Sequence, residues 1–162
     1  MPGSPERWRR LDAARRDLSG ALAFQWNGAH GVPVSLRDDI LMRVIHQLVE
    51  ALLRAAGLRK KKDLPAAEEA LGEGLQSLGL SLALIKSVPS ATLKALVQDP
   101  TRRALLGAAL CELAAIARDR GDEPGADQLD HTASDLFDDI DVSKLPDEVK
   151  DALPADMRES TW

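Results

Sequence analysis

His131 stands between Asp127 and Asp135, four residues away on either side, so a helix over this stretch puts three metal-competent side chains on one face. One reading built on that set is a metal-dependent enzyme or metal sensor using His131, Asp127 and Asp135. The plainer reading is a solvent-facing histidine whose charged form its acidic neighbours favour. His46 with Glu50 at i+4 offers one base and one acid, and suits a residue at the edge of a buried face better than a catalyst. The acids Asp135, Asp138, Asp139 and Asp141 invite a calcium loop but lack its turn glycine and terminal glutamate at the required spacing. Cys111 has no second cysteine to pair with and sits between Leu110 and Glu112 in an apolar stretch, which suits a buried structural thiol. Gly-Asp-Glu-Pro-Gly at 121–125 is a turn, without the lysine and hydroxyl of a phosphate loop. No catalytic residue, cofactor site or metal ligand is assigned, and a protein that is not an enzyme is the favoured class.

Arg59-Lys60-Lys61-Lys62 is the one tight basic cluster, and four charges in an interhelix turn could contact phosphates in a nucleic-acid-associated regulator. The rest of the chain argues against nucleic acid and for a charged turn or protein contact. The formal net charge is -5, and residues 119–162 carry four basic against fourteen acidic side chains. The opening Met1–Trp8 lacks the apolar run of a secretory signal, and the most apolar window, Ala104–Ala117, is too short to span a bilayer. With a single cysteine, these features predict no membrane span and a cytoplasmic location.

The elements that carry these residues are helical. Hydrophobic residues make up 44% of the chain, mostly Leu and Ala, while aromatics are 3% and Tyr is absent, a composition that fills helices rather than sheets. Trp8, Leu11, Leu18, Leu22 and Trp26 recur at helix-compatible spacing among arginines, so residues 1–34 read as an amphipathic extension and hinge, offering those five side chains for interaction. Residues 35–140 form the main helical domain. Its first helix starts at Ser35 as N-cap, buries Ile40, Leu41, Val44, Ile45, Leu48, Leu52 and Ala55, and ends near Gly57, with Asp39–Arg43 and Glu50–Arg54 as outer pairs. Asp63 caps the next helix ahead of Pro65, and that helix buries Leu64, Ala67, Leu71, Leu75 and Leu78. Residues 80–98 are a connector with one or two short helices that packs Leu93, Leu96 and Val97 inward. Asp99-Pro100 starts a long helix closed by Gly121, and a final one from Asp122 or Glu123 buries Leu129, Ala133, Leu136, Phe137 and Ile140. Residues 141–162 read as an acidic C-terminal tail with a short helix at Pro146–Leu153.

Placing Ala67 on Ala126 puts Ala55 on Ala114, twelve residues earlier, and Leu58 on Ala117, nine residues earlier. With Gly121, Ala126 and Ala133 following Leu113-Ala114, those offsets resemble tetratricopeptide repeats, in which small residues let paired helices approach; Lys62 stands where the first unit would carry glycine, and Gly74 replaces an alanine. The stretch from Asp39 to Leu48, continuing to Gly57-Leu58-Arg59-Lys60, resembles the opening of an uncharacterised bacterial family of small helical proteins, itself similar to tetratricopeptide-repeat proteins, over roughly residues 36–140. The resemblance implies an all-α fold of antiparallel helical hairpins, a degenerate tetratricopeptide-like bundle of five to seven helices, and no chemistry. The expected function is a non-catalytic protein-interaction or oligomerisation module that binds a protein partner or forms a homo-oligomer such as a homodimer. Arg59, Lys60, Lys61 and Lys62 join the N-terminal stripe as its candidate contact residues.

Overall fold

The computed structural model describes residues 34–159. Their regular elements are α1 (Val34–Lys60), α2 (Leu64–Gln76), α3 (Leu82–Ser87), α4 (Ser90–Leu96), α5 (Pro100–Asp119), α6 (Glu123–Phe137), a 3-10 turn at Val142–Lys144, α7 (Asp147–Ala152) and α8 (Ala155–Arg158). The fold is an all-α bundle with antiparallel helix packing, and no strand occurs among the described residues. Contacts assign the described residues to two units, 34–41 and 42–159. Of the first unit the described part opens α1, which begins at Val34 and so takes Ser35 into the helix. There Leu36 and Ile40 are exposed, so Ile40 does not join a buried face.

In the second unit α5 is the central element. Every residue from Arg103 to Leu110 is buried, as expected of a helix apolar around most of its circumference. Helices α2, α6 and α7 pack on it, and α4 packs on α6. Asp99 starts α5 by accepting a hydrogen bond from Arg102 N at 2.9 Å, ahead of Pro100, whose missing N–H costs nothing in a first turn. The C-terminal stretch adds to the same core, because Leu145, Val149 and Leu153 are buried.

Two close approaches set how the hairpins pack. A Cβ built on Gly74 of α2 would lie 2.5 Å from Ala51 Cβ of α1 and 3.1 Å from Leu48 Cδ1, so glycine lets these helices approach. Gly107 of α5 plays the reciprocal part, since a Cβ there would collide with the Phe137 ring of α6. The turns joining the helices also match. Asp63 and Asp122 have φ/ψ of -90/72° and -93/73°, and each side chain accepts from the N–H three residues on. Lys62 N donates to Arg59 O and Asp63 N to Leu58 O; Gly121 N donates to Arg118 O and Asp122 N to Ala117 O. These paired bonds close both helices in the same left-handed manner, with φ of 62° at Lys62 and 83° at Gly121. Helix α1 therefore runs through Gly57 to Lys60, and Lys62 makes the stop expected of glycine.

Candidate functional site

The side chains of α2, α3, α5 and α6 leave a cleft of about 220 Å³ within the second unit. Ile85, Val88, Leu113, Ile116 and Leu129 supply its apolar walls, and Glu68, Lys86, Arg120, Asp122, Gln128 and Thr132 its polar ones. Residues 125, 128, 129 and 132 reach it together because they follow the i, i+3, i+4, i+7 face of α6. Leu129 is consequently half-buried, a wall of the cleft, where the periodicity alone predicts core.

Glu68 links the rim. Its Oε1 lies 3.1 Å from Lys86 Nζ of α3, and its Oε2 2.5 Å from Arg120 Nη1 at the end of α5. Burial pushes the Glu68 carboxyl up, but the hydrogen bonds from Arg120 and Lys86 outweigh it and hold the group below the ordinary carboxylate range. Asp122 is turned to the helix terminus, its Oδ1 accepting from Gly125 N at 3.0 Å. The cleft thus joins aliphatic walls to a rim on which Glu68 is ion-paired with Lys86 and Arg120.

Comparison with family models, curated proteins and solved structures finds no match to this chain.

The structure distributes the residues singled out by sequence. Asp127 lies 3.7 Å from Arg118 Nη2, a guanidinium that also hydrogen-bonds Asp130 and lies 3.8 Å from Glu123. Asp135 Oδ2 accepts from Ser90 Oγ of α4 at 2.6 Å and lies 3.8 Å from His131 Nε2. The three side chains of the candidate metal face therefore do not converge, and among the described residues no group of three His, Cys, Asp or Glu is placed to hold a metal ion. His46 contacts Glu148 of α7 at 3.2 Å, with its Nδ1 2.7 Å from Met42 O, and not Glu50. Arg54 likewise reaches across to Glu73 of α2 at 2.5 Å in place of the expected partner, Glu50. Asp141 accepts from Ser143 N at 3.1 Å and from its hydroxyl at 2.6 Å, closing a local turn.

Arg59 leaves the basic cluster for the bundle. Its Nε donates to Glu112 Oε1 at 2.7 Å and its Nη1 lies 3.8 Å from Asp119, so these acids, Glu112 foremost, raise its pKa against the opposing effect of burial. Lys62 Nζ lies 3.8 Å from the same Asp119, while Lys60 and Lys61 are exposed. Cys111 is half-buried, short of the full burial expected of it, and this partial burial with the Asp130 and Asp156 carboxylates pushes its thiol up to about 11. Trp8, Leu11, Leu18, Leu22 and Trp26 lie outside the described residues. No helix among the described residues is long and apolar enough to cross a membrane.

Sequence reasoning missed the cleft because its rim is assembled across the chain. Glu68 and Arg120 are 52 residues apart and Glu68 and Lys86 18 apart, and no local spacing joins them.

Proposed function

We propose that this chain is a non-catalytic protein-interaction module of tetratricopeptide-like build, which seats one apolar side chain of a partner in the cleft between α2, α3, α5 and α6. The observation that carries the reading is the cleft's size and lining. Clefts for drug-sized ligands run to roughly 300–1,000 Å³, whereas a cavity of roughly 150 Å³ accepts a benzene ring. At about 220 Å³ with five aliphatic walls, this one suits a single large side chain whose parent chain remains outside. Its ionised groups are engaged in ion pairs and a helix cap, an arrangement suited to holding a partner. The matching turns at Lys62 and Gly121 support the repeated-hairpin build.

The test is selection of binders from a random displayed-peptide library, followed by titration against L129W, which fills the cleft. Selected peptides are expected to lose binding to that variant while its thermal melt stays near the parent's. Equal binding to both proteins would overturn the proposal.

Self-association is a second reading, favoured by Met42 and Leu53, exposed apolar side chains that their eleven-residue spacing puts on one face of α1. It predicts a dimer in native mass spectrometry that L53E disperses; a monomer at every concentration would count against it.

A further inference from the structure

Hydrogen-bond capacity at the mouth of the cleft is lopsided. Both oxygens of Glu68 already accept from a cation, Oε1 from Lys86 and Oε2 from Arg120. An ammonium has three N–H groups and a guanidinium five, so each cation retains most of its donors after making that bond. The cations are also the more exposed partners, Lys86 at 51% and Arg120 at 40% of their side-chain surface against 22% for Glu68. Asp122, the other acid of the rim, accepts from Gly125 N at the start of α6. What the mouth offers an incoming group is therefore the spare N–H donors of two cations, with the second oxygen of Asp122 at the other side of the rim, set beside walls of Ile85, Val88 and Leu129.

We infer that the cleft recognises a peptide segment in which a large apolar side chain lies beside a carboxylate. The apolar group enters against Ile85, Val88 and Leu129, and the carboxylate shares Lys86 and Arg120 with Glu68. This rests on the interaction-module reading and specifies its partner. A peptide is favoured over a free small molecule because the space holds about one side chain, so the greater part of any ligand stays outside it. The carboxylate follows from the spare donors of Lys86 and Arg120, because a charged donor facing water gains most from an ionised acceptor.

The probes are N-acetyl-leucine, its uncharged amide N-acetyl-leucinamide, and octanoate, titrated into full-length protein while the methyl NMR signals of Ile85, Val88 and Leu129 are followed. N-acetyl-leucine is expected to shift those signals and to bind about tenfold more tightly than the amide, the difference of a charge-assisted hydrogen bond. K86Q should reduce that preference. E68Q should tighten N-acetyl-leucine by up to about tenfold, since it removes the carboxylate that competes for both cations, a gain that damage to the fold cannot imitate. Equal binding of acid and amide would overturn the carboxylate inference and leave the cleft reading standing. Absence of binding by all three probes would overturn the cleft reading itself. Octanoate binding with no response to N-acetyl-leucine would replace the peptide with a small amphiphile.

Discussion

Lys62 and Gly121, 59 residues apart, occupy the same left-handed position in two helix–helix turns of matching hydrogen bonding, with φ of 62° and 83°. Such a backbone costs a residue with a side chain roughly 1–2 kcal/mol, and glycine nothing comparable, although glycine adds about 0.5–1 kcal/mol of chain entropy to be lost on folding. K62G should therefore stabilise the protein by about 0.5–1 kcal/mol, and G121K should destabilise it by about the same 0.5–1 kcal/mol. Urea unfolding of both variants checks the signs.

Gly107 and Phe137 make a second prediction. The ring of Phe137 occupies the space where a Cβ at residue 107 would stand, so G107A forces the ring or the helices apart. Overpacking of this kind costs about 1–3 kcal/mol. F137L, which carries a smaller side chain, should be less destabilising in the G107A background than alone, a coupling that a double-mutant cycle measures. Additive costs would show that the ring yields without strain.

The pair Arg59–Glu112 ties the end of α1 to α5 with both side chains partly buried. E112A leaves a partly buried guanidinium without its main acceptor and should cost about 1–3 kcal/mol. Replacing both partners with apolar residues, as in R59M/E112L, should recover most of that loss in chemical denaturation.

Cys111 supplies a pH prediction. Its folded pKa of about 11 lies above the ordinary 9.0, so the thiol's contribution to stability is complete below about pH 9 and is lost as pH rises towards 11. At pH 7.5 its alkylation by iodoacetamide should run about a hundredfold more slowly than in the unfolded chain, in proportion to the thiolate fraction. C111S should flatten the alkaline limb of the stability profile, and rapid labelling of the folded protein at pH 7.5 would contradict the burial.

The sequence by itself determined the helices and most of their ends. Leu/Ala periodicity, the caps Asp63, Asp99 and Asp122, and the prolines Pro65, Pro100 and Pro124 act within one or two turns of chain, so their effect is legible locally. Only tertiary structure decided what each side chain meets. It moved Arg54 and His46 from Glu50 to Glu73 and Glu148, left Leu96 exposed, turned Leu129 from core to cleft wall, and drew Glu68, Lys86 and Arg120 onto one rim. Periodicity states which face of a helix is apolar. It cannot state which neighbour covers that face or where the cover stops short, because that depends on the distances between helices, which here are set by glycines at 74 and 107 against partners distant in sequence.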